Sequence, residues 1–84
     1  MTGTSFAQAN KFFQEGKLEE AIATYKKATG ENSRFAWSHH NLGEALIKAG
    51  RIEEAAAAFR GALAINPNSA WSLHKLGAML NKLG

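Results

Sequence analysis

Residues 36–50, AWSHHNLGEALIKAG, decide the fold, because residues 70–84, AWSLHKLGAMLNKLG, repeat them at nine of fifteen positions. The two stretches are offset by 34 residues. The same offset leads from Gly50 back to Gly16, after which matching glutamates, alanines and an aromatic follow again. A period of this length is typical of helical repeat arrays. The sequence therefore predicts one unit that is written about two and a half times.

Each unit contains two segments in which apolar residues recur at helical spacing, separated by residues that end helices. Gly16 and Gly50 are predicted to end the first helix of their units, since glycine adopts the left-handed conformation of a C-terminal cap at little cost. Pro67 disfavours helix at the residue before it, and the side chain of Ser69 can cap the helix that follows. The predicted helices are residues 6–15, 18–29, 36–49, 52–65 and 70–83.

The short turns after Gly16 and Gly50 force consecutive helices to run antiparallel, which makes helical hairpins. We therefore predict an all-α fold, a right-handed α-α superhelix (solenoid) of two complete helical hairpins plus a terminal fifth helix. The 84 residues are expected to form a single domain, residues 1–84, with repeat one at 2–35, repeat two at 36–69 and a half repeat at 70–84.

The composition argues against several classes of protein. The chain has no cysteine, so disulfides and thiolate metal sites are not available, and we take a reducing cytoplasm as the default location. The net charge of +3 comes from Lys and Arg interleaved with Glu, whereas nucleic-acid binders usually show a concentrated basic stripe. No apolar run approaches the roughly 20 residues of a membrane span. We therefore expect no nucleic-acid partner and no membrane partner.

Residues that could carry catalysis or hold a metal do not assemble a site in the sequence. The chain has no aspartate and no phosphate-binding glycine loop. The glutamate pairs at 19–20 and 53–54 lie side by side in the first turn of predicted helices, where they complement the helix dipole. His40 and His74 are equivalent, but a structural zinc site has four protein ligands. We expect no enzyme, cofactor or metal, and two partly exposed histidines in a groove.

The second unit resembles the tetratricopeptide repeat family, whose pattern of a leucine-glycine pair, alanine, an aromatic, alanine and a closing proline is present as Leu42–Gly43, Ala55, Phe59, Ala62 and Pro67. The first unit departs from the pattern, with Gln8–Ala9 for the leucine-glycine pair and Ser33 for the proline. The Trp-Ser-x-His sequences also look like long arrays of bacterial multidomain proteins, often fused to transferase domains. The resemblance implies a non-catalytic protein–protein interaction module that binds an extended peptide or a partner helix.

The first helices of the units carry a face of aromatic and hydrogen-bonding residues opposite their packing side. Stacked side by side, such faces form the concave groove that solenoids use for extended ligands. Exposed tryptophans at the repeat period have the composition of a binding hot spot, although each tryptophan could instead lie flat over its neighbouring helix and close the array. The predicted groove residues are Phe6, Asn10, Phe13, Trp37, His40, Asn41, Glu44, Lys48, Trp71, His74 and Lys75.

The family resemblance also implies which positions would recognise the terminal carboxylate of a peptide. Asn10, Asn41 and Lys75 match two asparagines and a basic residue of the family's carboxylate clamp, but Phe6 and Trp71 stand where the clamp has its two lysines. Without these lysines most charge-assisted hydrogen bonds to a carboxylate are lost. We therefore predict no strong recognition of a C-terminal carboxylate, and a groove that selects aromatic or extended apolar segments.

The last predicted helix carries a coiled-coil-like stripe. Three outcomes are open: the stripe packs onto the second hairpin as a cap, two chains pair through it as a homodimer, or the chain is a fragment that continues after Gly84. We favour a fragment or truncated array that tends to self-associate. A substrate-recruiting fragment of a larger bacterial enzyme is a further alternative. The predicted self-association residues are Leu73, Leu76, Leu80 and Leu83.

Overall fold

The computed structural model describes the backbone of residues 4–83 and the side chains of residues 5–81. This part of the chain contains five helices and no strand, as the repeat pattern predicts. The helix after Leu18 extends two residues beyond its predicted end, because Gly30 does not take a left-handed conformation and so does not cap it. The helices are α1 (Thr4–Gln14), α2 (Leu18–Glu31), α3 (Ala36–Lys48), α4 (Ile52–Ile65) and α5 (Ala70–Leu83).

Two glycines close the hairpins as predicted. Gly16 has φ +77° and Gly50 has φ +79°, both in the left-handed region that glycine tolerates. At the end of α1, the Lys17 N–H donates to the Phe12 carbonyl at 2.9 Å and the Gly16 N–H donates to the Phe13 carbonyl at 3.1 Å. The same two bonds recur after α3. These bonds satisfy carbonyls at the helix end and reverse the chain within two residues.

The loop before α5 also follows the sequence prediction. The Ser69 hydroxyl accepts a hydrogen bond from the Ser72 N–H at 3.3 Å, which makes Ser69 the cap of α5. By contrast, α3 begins after Phe35, whose side chain makes no capping hydrogen bond. The two equivalent loops therefore use different residues to start equivalent helices.

The core runs through both hairpins and is built from two large rings surrounded by small residues. Tyr25 of α2 and Phe59 of α4 are completely buried. The Phe59 ring lies directly over Gly43 of α3, so close that a β-carbon at Gly43 would lie 2.7 Å from the ring. Ala21 and Ala55 are also fully buried and leave room for the neighbouring helix. The mid-helix glycine is thus required by close packing.

The equivalent glycine on α5 has a different environment. No atom lies within 4 Å of the position that a β-carbon at Gly77 would take. Leu80 on the same face is 44% exposed, whereas its counterpart Leu46 on α3 is 1% exposed. The difference arises because α4 covers α3, and nothing in residues 4–83 covers the corresponding face of α5.

The two glycines give a matched pair of alanine variants with opposite expected effects. Gly43→Ala should lower the free energy of unfolding by up to about 2 kcal/mol, because the clash of the new methyl group with the buried Phe59 ring outweighs the gain in helix propensity. Gly77→Ala should raise it by up to about 1 kcal/mol, because alanine has the higher helix propensity and the site is open. Urea unfolding followed by circular dichroism measures both. Changes of the same sign in the two variants would contradict this packing.

The helix bounds are compatible with a division into repeats at 2–35, 36–69 and 70–84. We keep these as our proposed repeat boundaries. Within residues 4–83, no helix has the length and apolar character that crossing a membrane requires.

Candidate functional site

Helices α1, α3 and α5 present their inner faces side by side, and polar or aromatic contacts connect each helix to the next. We call this surface the inner groove. Four of the predicted groove residues pair across helices, Asn10 with Asn41 and Glu44 with Lys75, and two more, Trp37 and Trp71, each contact His40. The inner groove consists of these six residues: Asn10, Trp37, Asn41, Glu44, Trp71 and Lys75.

Two asparagines connect α1 to α3. The Asn41 side-chain amide donates to the Asn10 side-chain oxygen at 3.0 Å, and the same oxygen accepts a hydrogen bond from the Tyr25 hydroxyl. Burial raises the pKa of Tyr25 to about 12, so the hydroxyl stays a donor at neutral pH. These bonds use neither the amide N–H groups of Asn10 nor the carbonyl oxygen of Asn41. The pair therefore offers both donors and an acceptor to a ligand.

His40 is not the partly exposed groove residue that the sequence predicts. Only 5% of its surface is accessible, because Phe59 of α4 packs against one side of the ring at 5.2 Å between centroids. Its Nδ1 atom lies 3.2 Å from the Ser72 hydroxyl of α5. His40 is therefore a buried link between α3 and α5. Its equivalent His74 is exposed, since no following helix in the described residues covers it.

A charged pair makes a second link between α3 and α5. The Lys75 ammonium lies 3.3 Å from Glu44 Oε1, and His40 Nε2 lies 4.0 Å from the same oxygen. This oxygen is buried and receives no well-directed hydrogen bond from the described residues. The Lys75 charge compensates the carboxylate but is not oriented to satisfy it fully. Much of the positive charge of Lys75 is therefore already engaged by Glu44.

Burial lowers the pKa of His40, the Glu44 carboxylate opposes this effect, and the Lys75 ammonium adds to it. The histidine is therefore neutral in the folded protein at neutral pH. The same ring in an unfolded chain titrates near pH 6.5.

The two tryptophans stand on either side of this buried histidine. Trp37 is 56% exposed and Trp71 is 60% exposed. Their rings approach His40 edge to face, with centroid distances of 5.5 Å and 5.8 Å. An indole that lay flat over a neighbouring helix would be largely buried. The exposure therefore favours the binding interpretation over the packing interpretation of these residues.

The other predicted groove residues lie further towards the packing side or away from the cross-helix contacts. Phe6 packs edge-on against Phe35 at 5.0 Å between centroids, and Phe13 packs against Tyr25 at 6.5 Å. Both are partly buried against the core. The Lys48 ammonium lies 5.9 Å from the Phe13 ring centroid and extends the surface beyond the inner groove.

Only part of the predicted leucine stripe on α5 is exposed to solvent. Leu73 is 51% exposed and Leu80 is 44% exposed. Leu76 instead packs against the core, and Met79 is 4% exposed. The reason is that α5 turns the Leu76 and Met79 side towards α4. The side chain of Leu83 lies outside the described residues.

A small cavity opens between the two tryptophans, and sequence reasoning missed most of its lining. Its volume is about 70 Å³, and it is bounded by Ala36, Trp37, His40, Asn66, Ser69, Trp71 and Ser72. The repeat itself carried a signal for one of these residues: Ser38 and Ser72 are identical at the repeat period, and both are buried. Among the described residues, no cluster of three or more His, Cys, Asp or Glu side chains could hold a metal ion.

The lowered pKa of His40 predicts a specific loss of stability in acid. The unfolded chain takes up the proton first, so the free energy of unfolding should fall as pH drops through about 6.5 towards the lower folded-state value. The slope from this one group cannot exceed about 1.4 kcal/mol per pH unit. Urea unfolding at pH 7.5, 6.5 and 5.5 measures it.

His40→Phe is the matched control, because Phe6 occupies the equivalent position of the first unit. This variant keeps His39 and His74, so any slope that it loses belongs to His40. Equal pH dependence in the wild type and the variant would contradict the burial-driven shift.

The family and fold are established by comparison with known proteins. A family model described as tetratricopeptide repeat matches residues 12–79, which is more than half of the chain. The chain therefore belongs to the tetratricopeptide repeat family, as the motif around Leu42–Gly43 indicates. Comparison with curated protein sequences gives no significant match.

Two solved structures show the same fold at low sequence identity. The second TPR of Spaghetti (RPAP3), bound to the HSP90 peptide SRMEEVD, matches with a TM-score of 0.90 and 24% identity, over 99% of this chain and 80% of that chain. The first TPR of Spaghetti, bound to the same peptide, matches with a TM-score of 0.64 and 18% identity, over 99% of this chain and 95% of that chain. The prediction of a helical solenoid is confirmed.

Proposed function

We propose that the protein is a non-catalytic protein–protein interaction module whose inner groove binds an extended peptide segment of a partner protein. The observation that carries this proposal is the pair of indoles on Trp37 and Trp71, each more than half exposed and one repeat apart on neighbouring helices. Large amphipathic side chains of this kind supply much of the binding energy at protein interfaces.

The asparagine pair supplies the polar half of the proposed site. The free amide N–H groups of Asn10 and the free carbonyl oxygen of Asn41 match the acceptor and donor of a peptide backbone. Because Tyr25 and Asn41 both hold the Asn10 oxygen, that side chain is already oriented before a peptide arrives. Such pre-organisation lowers the entropic cost of binding.

The solved relatives support a peptide as the ligand, since both were determined with the HSP90 peptide SRMEEVD. We do not extend that particular ligand to this chain. Phe6 and Trp71 provide no charge for a terminal carboxylate, and Lys75 is already paired with Glu44. We therefore propose that the groove reads an internal, largely apolar segment.

Selection from a displayed library of random linear peptides tests this function. For the peptides that emerge, Trp37→Ala and Trp71→Ala should each weaken binding by about 2 kcal/mol or more, as expected for hot-spot residues. Amidation of the peptide C-terminus should change the affinity less than about threefold. Fluorescence anisotropy measures both effects.

Leu73→Ala is a matched control, since it also truncates a large exposed apolar side chain but lies outside the inner groove. It should bind the selected peptides like the wild type. Circular dichroism must show unchanged helix content in the tryptophan variants. Loss of helix content, or binding unchanged by either tryptophan substitution, would contradict the proposal.

Self-association through α5 is a second candidate function, favoured by the exposure of Leu73 and Leu80 beside the open position at Gly77. Leu76 takes no part, because it packs against the core. A homodimer formed through this face would bury apolar surface that is otherwise in contact with water.

Light scattering over a hundredfold concentration range tests the homodimer. A mass that rises towards twice the monomer value should return to the monomer value in the variant with Leu73→Glu and Leu80→Glu. A substitution of the inward-facing Met79 would not serve, since it would damage the core. A monomer at every concentration would exclude this candidate and leave the groove proposal intact.

Two expectations from the sequence stay as proposals. No contact among the described residues favours the hypothesis that the chain recruits substrate for a larger enzyme. We therefore rank this hypothesis below peptide binding in the inner groove. We also keep the cytoplasm as the proposed location, on the ground that the chain contains no cysteine.

A further inference from the structure

The cavity between the two tryptophans lies at the junction between the second repeat and the half repeat. Its walls come from the start of α3, the start of α5 and the loop before α5. Ala36 and Trp37 form one side, Ser69 and Trp71 form the other, and the buried His40 forms part of the lining. We call it the Trp notch.

The first junction between repeats fills the same place with the chain's own ring. Phe35 is the counterpart of Ser69, and Phe6 is the counterpart of His40, one repeat earlier. These two phenylalanines pack edge to face at 5.0 Å between centroids. At the second junction the small side chain of Ser69 replaces the phenylalanine. The Trp notch is therefore a position that takes an apolar group in one repeat and is open in the next.

Of the polar side chains that line the Trp notch, His40, Ser69 and Ser72 are already paired, and Asn66 is exposed to solvent. The Ser69 hydroxyl accepts from the Ser72 N–H at 3.3 Å, and the Ser72 hydroxyl lies 3.2 Å from His40 Nδ1. A group entering the notch therefore has no strong need to supply hydrogen bonds, and it contacts two indoles and an alanine. An apolar side chain suits this surface better than a charged one.

The size of the Trp notch selects among apolar side chains. An apolar cavity of about 150 Å³ holds one benzene molecule, which has six carbon atoms. The notch, at about 70 Å³, therefore has room for about three carbon atoms on the same measure. This is the size of a valine side chain and about half of the space that an aromatic ring needs.

We propose that the Trp notch is the anchoring pocket for one valine-sized aliphatic side chain of the peptide bound in the inner groove. The inference rests on the proposed function and narrows it. The sequence led us to expect aromatic or extended apolar segments, whereas the notch would exclude an aromatic ring at this position. Trp37 and Trp71 would clamp the aliphatic group from both sides.

Direct titration tests the Trp notch without a known peptide. The probes are N-acetyl-L-valine N′-methylamide and its phenylalanine counterpart, and the readout is the indole N–H resonances of Trp37 and Trp71 in two-dimensional NMR. The valine probe should shift both resonances saturably, with the millimolar affinity expected for so small a ligand. The phenylalanine probe should bind about tenfold more weakly.

Two equivalent alanines give matched variants. Ala36 lines the notch, whereas Ala70, one repeat later, lines a second concavity with His74, Lys75 and the other side of Trp71. The Trp37 resonance, which this second concavity does not include, is therefore the readout for the Ala70 variant. Ala36→Leu should weaken binding of the valine probe about tenfold or more, and Ala70→Leu should leave it unchanged within about twofold. If Ala36→Leu does not fold, Ser69→Val places an aliphatic group of the proposed size in the notch and should have the same effect.

The pocket is overturned if the valine probe gives no saturable shift, if the phenylalanine probe binds as tightly, or if neither filling variant weakens binding. None of these results tests the inner groove, which the peptide selection tests separately. Selected peptides that bind normally to Ala36→Leu would also overturn the pocket while the groove proposal stands. A selection that yields no peptide would instead overturn the groove, and with it the role of the notch in peptide binding.

Discussion

The close approach of α3 and α4 at Gly43 is the contact on which both the core and the inner groove depend. The Phe59 ring occupies the space that a side chain at Gly43 would need, and this lets the hairpin close. The same ring packs against His40 on the groove side at 5.2 Å. His40 in turn supports the indoles of Trp37 and Trp71. One buried phenylalanine therefore connects the packing of the hairpin to the surface that we propose for binding.

The inner groove is held by links that run across helices. Asn10 and Asn41 join α1 to α3, while the contact of His40 with Ser72 and the Glu44–Lys75 pair join α3 to α5. These residues are far apart in sequence and come together only when the repeats stack. Because the links are formed within the protein, the relative position of the three helices is set before a ligand binds. Rigid placement of this kind favours affinity, since less order must be gained on binding.

The Trp notch and the open face of α5 arise where equivalent positions differ between repeats. Phe35 fills the first junction, and Ser69 leaves the second open. Gly43 is covered by a ring, whereas Gly77 has open space above it. In a repeat array each unit contacts mainly its neighbours, so a substitution changes one junction and leaves the others in place. A binding surface can therefore vary from junction to junction while the fold is kept.

The sequence alone determined the period, the five helices and the two hairpin turns, because helix propensity and the glycine caps at Gly16 and Gly50 act within a few residues of chain. Tertiary structure alone decided which equivalent residues are buried. His40 and His74 have the same place in the repeat, yet the first is packed beneath Phe59 and the second is exposed. Likewise Leu76 faces the core rather than the predicted stripe. Burial depends on which helix packs over a residue, and that helix cannot be identified from the few residues around the position in the sequence.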